Sequence, residues 1–191
     1  MRMMNKIRKK LSTGRGFSLG ELLAATIILL LASQVMAEGV TFAVRMYNES
    51  LTRSHARQLC STLTASIETE LRYATSITYD ENTGVLRMYF SPNYGQSQSS
   101  FLTIDSDEQE TTSGEIAIKA TEQDQTVYRR LISESSYSSF GLKAEIDAIQ
   151  YKRDENVFSV TLVILNKDNK KQAENTFQVI PVNTLVINQN S

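Results

Sequence analysis

The chain has one cysteine, one histidine and two prolines in 191 residues, and its first sixteen residues contain no acid. Each scarcity excludes something. With Cys60 alone, no internal disulfide can form, so core packing must hold the body even outside the cytoplasm. No proline interrupts residues 17 to 91, so a long helix is permitted there. No Gly-rich phosphate loop is present, and with it goes the usual means of binding a nucleotide. The composition, 41% apolar and 21% charged, is that of a globular protein and excludes collagen-like, disordered and disulfide-dense classes.

What is present is unevenly distributed. Arg2, Lys6, Arg8, Lys9, Lys10 and Arg15 precede residue 17; without them 14 basic and 21 acidic side chains remain, a charge of −7. An acidic body makes a poor general surface for nucleic acid. Behind the basic leader lies an apolar run: 13 of the 16 residues from Leu22 to Ala37 are apolar. Counted from Phe17 the run would form about 31 Å of helix, close to the ~30 Å hydrocarbon core of a bilayer. The positive-inside rule keeps residues 1–16 in the cytoplasm and sends the C-terminal body across a plasma (inner) membrane as a single-pass protein.

Two processing sites compete. Small residues at Val35-Met36-Ala37 suit a signal-peptide cut before Glu38, which would release a soluble domain. That reading leaves Glu21 unexplained, because an ionisable group in lipid costs a few kcal/mol and marks function.

The stretch G-R-G-F-S-L-G-E-L-L-A-A-T-I-I-L-L-L, residues 14–31, resembles the N-terminus of type IV pilins and pseudopilins. The resemblance implies cleavage between Gly16 and Phe17 by a prepilin peptidase, N-methylation of Phe17, and an assembly role for Glu21. Glu21 is the fifth residue from Phe17 and would pair with the Phe17 amine of a neighbouring subunit. Implied partners are the peptidase, other pilin or pseudopilin subunits, an inner-membrane assembly platform and, before assembly, membrane lipid. No cofactor, metal or nucleotide is implied. Cutting before the run leaves the helix attached as an anchor, and an anion in its first turn is favoured by the helix dipole. Such a pair would set register, as a buried polar residue does in a coiled coil.

Downstream, Ala56, Leu59, Cys60, Leu63, Ile67, Leu71 and Ala74 recur at three- and four-residue steps, predicting an amphipathic continuation of the helix over 38–75. Gly39 is its weak point, because a mid-helix glycine costs about 1 kcal/mol relative to alanine. Residues 76–191 read as an antiparallel β-rich domain. Strands are predicted at Ser76–Tyr79, Val85–Phe90, Phe101–Ile104, Glu115–Lys119, Thr126–Ile132, Glu145–Tyr151, Val157–Leu165, Asn175–Ile180 and Thr184–Ile187. D-E-N-T-G makes a hairpin turn, and polar connectors separate the other strands. The fold class is α+β: a long N-terminal helix, membrane-spanning over 17–37, packed on an antiparallel sheet. V-Y-R-R-L-I-S, F-G-L-K-A-E-I-D-A-I-Q-Y and V-F-S-V-T-L-V-I-L resemble J-type pseudopilins and W-type minor pilins, which implies a minor or priming subunit of a pilus, secretion or competence-like filament.

Enzyme chemistry has little to work with. His55 and Cys60 are five apart and do not share a helix face. Cys60 lies on the apolar stripe as a core residue, and His55 is a surface or stripe-edge residue. Asp105, Asp107, Glu108 and Glu110 lack the glycine and terminal glutamate of an EF-hand loop and read as a solvated connector. Arg129 and Arg130 alternate on a strand, so at most one joins any patch. A secreted or anchored β-domain acting as a binding module, or a filament-tip adhesin, remains the alternative.

Overall fold

The computed structural model describes residues 18–90, 98–122 and 125–188. The chain divides into two compact units, Met1–Asn48 and Glu49–Ser191. Helix α1, Leu19–Arg72, is an unbroken run of 54 residues that belongs to both.

In the first unit, the described residues are all exposed α-helix after Ser18. Hydroxyls within it are paired by the helix itself: Thr26 Oγ1 donates to the Leu23 carbonyl at 2.8 Å, Ser33 Oγ to Leu29 at 2.7 Å, and Thr41 Oγ1 to Ala37 at 2.9 Å. These back-bonds let polar residues sit in an apolar stretch without an orphaned donor. Gly39 does not interrupt the helix, and a methyl group added there would meet nothing within 4 Å. The anticipated weak point therefore costs propensity without breaking the ladder.

In the second unit the stripe read from the sequence becomes the buried face of α1: Ala56, Leu59, Cys60, Leu63, Ile67 and Leu71. It shares one core with a three-stranded antiparallel sheet, β7 (Leu142–Lys152), β8 (Val157–Asn166) and β9 (Lys171–Val179). On the central strand β8, Phe158, Val160, Leu162 and Ile164 alternate inward and are fully buried. Each such side chain contributes about 1.5–3 kcal/mol. Asn175 Nδ2 of β9 donates to Thr64 Oγ1 of α1 at 3.1 Å, tying the helix to the sheet.

A second, seven-stranded sheet comprises β1 (Ser76–Tyr79), β2 (Leu86–Phe90), β3 (Gln98–Ile104), β4 (Glu110–Thr111), β5 (Glu115–Glu122), β6 (Gln125–Arg130) and β10 (Val186–Ile187). Its order is β10-β1-β2-β3-β5-β6, with β4 paired to β3. The Gly84 turn between β1 and β2 matches D-E-N-T-G: Asp80 Oδ1 accepts the Asn82 and Thr83 N–H groups, and Gly84 takes φ 73°. Isolated bridges, Val85 with Gln150 and Gly114 with Ala144, join β7 to this sheet.

The α+β class and the helix packed on β-structure are as expected. Several details differ, among them the earlier starts of β3 at Gln98 and β9 at Lys171, inside stretches expected to be connectors. The strands form two sheets, and β10 pairs with β1 in parallel, so the domain is not wholly antiparallel. The connectors also hold structure: β4 lies in the acidic one, and a short helix α2, Ser135–Ser138, lies in S-E-S-S-Y-S-S. Here Tyr137 is drawn into the core and its Oη accepts the Ile116 N–H at 3.2 Å. The C-terminal segment also closes α1, since the Val182 N–H donates to the Arg72 carbonyl at 2.8 Å and Asn183 Nδ2 reaches the Tyr73 and Ala74 carbonyls. Carbonyls that a helix end leaves unpaired are thereby satisfied.

Candidate functional site

The start of α1 is built by two residues. Ser18 precedes the helix; its backbone N–H donates to Glu21 Oε2 at 3.0 Å, while the Glu21 N–H reaches Ser18 Oγ at 3.2 Å. This is a reciprocal capping box, in which a serine and a glutamate three residues on satisfy each other's orphan donors. The signal S-x-x-E is present in Ser18-Leu19-Gly20-Glu21, and it gives Glu21 a local role beside the assembly role expected of it. The carboxylate thus has an intrachain task, and with lone-pair sites on both oxygens it can also accept a cation from outside. Gly16 and Phe17, the other residues singled out, lie outside the described residues.

Beyond the cap the helix is apolar on every side. Leu22, Leu23, Ile27, Ile28, Leu29, Leu30, Leu31 and Val35 are all exposed. An all-round apolar helix belongs in lipid or in a protein interior. Helix α1 is long and apolar enough to cross a membrane, and its most apolar window has no residue buried within the chain. Exposure of large apolar side chains continues past the apolar run at Val40, Phe42, Val44, Met46 and Tyr47, interleaved with Thr41, Arg45 and Asn48.

The other candidates are not assembled into one site. Cys60 is buried, and loss of water pushes its thiol up, partly offset by its hydrogen bond with Thr64; a thiol held protonated is a poor nucleophile. The His55 ring stacks instead on Phe140, with centroids 3.7 Å apart and planes 18° from parallel. In the acidic connector the Asp105, Glu108 and Glu110 carboxylates are occupied by the fold. Asp105 Oδ1 accepts the Asp107 and Gln109 N–H groups, Glu110 pairs with Lys119 at 2.7 Å, and Arg130 bridges Glu115 at 2.7 Å and Glu108 at 3.1 Å. Glu110 is held below the usual carboxylate range by the Lys119 ammonium. Among the described residues no group of three or more His, Cys, Asp or Glu side chains is arranged to hold a metal ion.

The geometry therefore offers one distinctive feature, an apolar helix whose capped start carries a carboxylate. Compared with known protein families, with curated proteins and with solved structures, the chain matches none.

Proposed function

We propose that the chain is a type IV pilin-like subunit, in a minor or priming role, that is stored in the membrane and then built into an envelope filament through α1. The observation that carries this reading is the junction at residues 16–21: Gly16-Phe17 is followed at once by a capped helix that bears Glu21 in its first turn and is apolar on all sides. A peptidase acting on the cytoplasmic side at Gly16/Phe17 would remove the basic leader and keep the anchor. The new Phe17 amine, methylated but still cationic, is then available to Glu21 of an adjoining subunit.

The role is structural, and catalysis and energy belong to partners. Because lipid and a bundle of apolar helices are both apolar, extracting α1 from one into the other is near neutral in free energy. A charge pair can then decide direction and register. The competing cut after Ala37 would fall in mid-helix and leave a secreted domain carrying exposed Val40, Phe42 and Val44. The intact anchor gives those side chains a reason, since subunits packed side by side would cover them.

The test is biochemical. Cells lacking the prepilin peptidase should accumulate the chain with its leader in the membrane and release none of it in sheared filaments. Equal release with and without the peptidase would defeat the proposal.

A further inference from the structure

The segment 179–188 is hydrogen-bonded along one edge. Its Val182, Val186 and Asn188 N–H groups donate to the Arg72, Thr75 and Ile77 carbonyls at 2.8, 3.0 and 2.9 Å, and β10 within it is the last strand of the seven-stranded sheet. Successive residues of an extended chain turn their backbone groups to opposite edges, so Asn183, Leu185 and Ile187 direct theirs away from β1. No described strand pairs with β10 on that side. We propose that this edge pairs antiparallel with the same edge of a second copy of the chain, about a twofold axis at Thr184. The contact concerns the second unit alone and does not rest on the function proposed for α1.

The first argument is the absence of a charged guard. An open edge is a template for another strand, and proteins ordinarily blunt theirs with charge or proline. At the far end of the same sheet β6 carries Arg129 and Arg130, and the edge strand β9 of the other sheet carries Lys171 and Glu174. From Asn175 to Asn188 no side chain is charged. Pro181 withholds one N–H at one end of the segment and leaves those of Asn183, Leu185 and Ile187 in place.

The second argument is self-complementarity. Exposure alternates along the segment, with Ile180, Val182, Thr184, Val186 and Asn188 outward. Ile180 and Val182 are each 67% exposed and Val186 61%, a row of β-branched apolar side chains that nothing described covers. With the axis at Thr184, Val182 lies opposite Val186 of the second copy, Thr184 opposite its own counterpart, and Ile180 opposite Asn188. Apolar β-branched pairs and a Thr–Thr pair are favourable across strands, and no charge opposes another. Asn183 and Leu185 of each copy exchange backbone hydrogen bonds. A twofold contact needs one patch to match itself, and this uncharged row does so; a strand bearing charges would have to bury them here without a counter-ion.

The experiment uses the full chain in a large excess of detergent micelles, so that two copies seldom share a micelle by chance. Sedimentation velocity should show a concentration-dependent dimer. Mild oxidation should link Thr184→Cys into a disulfide dimer, because the two cysteines face each other at the axis, whereas Ser136→Cys, exposed elsewhere, and the wild-type chain, whose Cys60 is buried, should stay unlinked. Val182→Lys should weaken the dimer about tenfold or more, and adding Val186→Glu, which lies opposite it on the other copy, should restore it. These side chains are exposed, so circular dichroism of the variants should superimpose on that of the wild type. A chain that stays monomeric, a dimer indifferent to Val182→Lys, a double variant no better than the single one, or Thr184→Cys linking in cells to a different protein instead of to itself would each overturn the proposal.

Discussion

Replacing Glu21 by glutamine separates the capping it performs from the charge pairing proposed for it. A glutamine side-chain oxygen can still accept the Ser18 N–H that Glu21 Oε2 accepts at 3.0 Å, because S-x-x-Q closes a capping box as S-x-x-E does. What is removed is the charge. Its interaction with the helix dipole is worth about 0.3–1 kcal/mol, so the subunit should fold and reach the membrane at its normal level. In the proposed filament the loss would be larger: removing one partner of a buried ion pair costs about 3–5 kcal/mol, or two to nearly four decades in the incorporation equilibrium. Glu21→Val removes charge and cap together. The assay is quantitation of the subunit in sheared filaments against its membrane pool. Both variants should be depleted from filaments by about a hundredfold or more, with membrane pools unchanged. Normal incorporation of Glu21→Gln beside failure of Glu21→Val would show that capping, not charge pairing, is the whole role of this residue.

Further outcomes test the fold. Leu63 is fully buried in the helix–sheet core, so Leu63→Ala should cost about 2–5 kcal/mol in urea unfolding of the detergent-solubilised chain. Tyr137→Phe leaves the Ile116 N–H unpartnered and should cost about 1–3 kcal/mol. Burial pushes the Tyr137 phenol up to about 12 from 10.0, so the folded state favours its neutral form. That stability is present below pH 10, is lost as pH rises through about 12, and should make wild-type stability fall more steeply there than that of Tyr137→Phe. The two glycine substitutions should act in opposite directions in thermal unfolding. A Cβ at Gly114 would lie 2.2 Å from the Ile104 carbonyl oxygen, so Gly114→Ala should destabilise the domain; Gly39→Ala, on an open helix face, should raise local helix stability by about 1 kcal/mol.

The elements legible in the sequence are those with local causes. The three- and four-residue recurrence from Ala56 to Leu71 foretold the buried face of α1, and the alternation in Val157–Leu165 foretold β8. Strands β1 and β2 are bounded by a turn whose Asp80 and Gly84 carry its geometry in their residue types. What was not legible depends on distant partners. Parallel pairing of β10 with β1 joins residues 110 positions apart, as Ser76 with Val186, and the split into two sheets depends on which strands meet. Helix α2 is held by Tyr137 entering the core rather than by its serine-rich sequence, whose helix propensity is low. At the candidate site the apolar run, Glu21 and the S-x-x-E spacing of the Ser18 cap are all local features carried by residue type and spacing.

The central claim is that the chain is cut at one peptide bond and then keeps its apolar helix. Intact-mass and N-terminal peptide mass spectrometry of the membrane-extracted protein tests it most directly. A mature chain beginning at N-methylated Phe17 is the predicted result; a chain beginning at Glu38, or one retaining residues 1–16 where an active prepilin peptidase is present, would contradict the account.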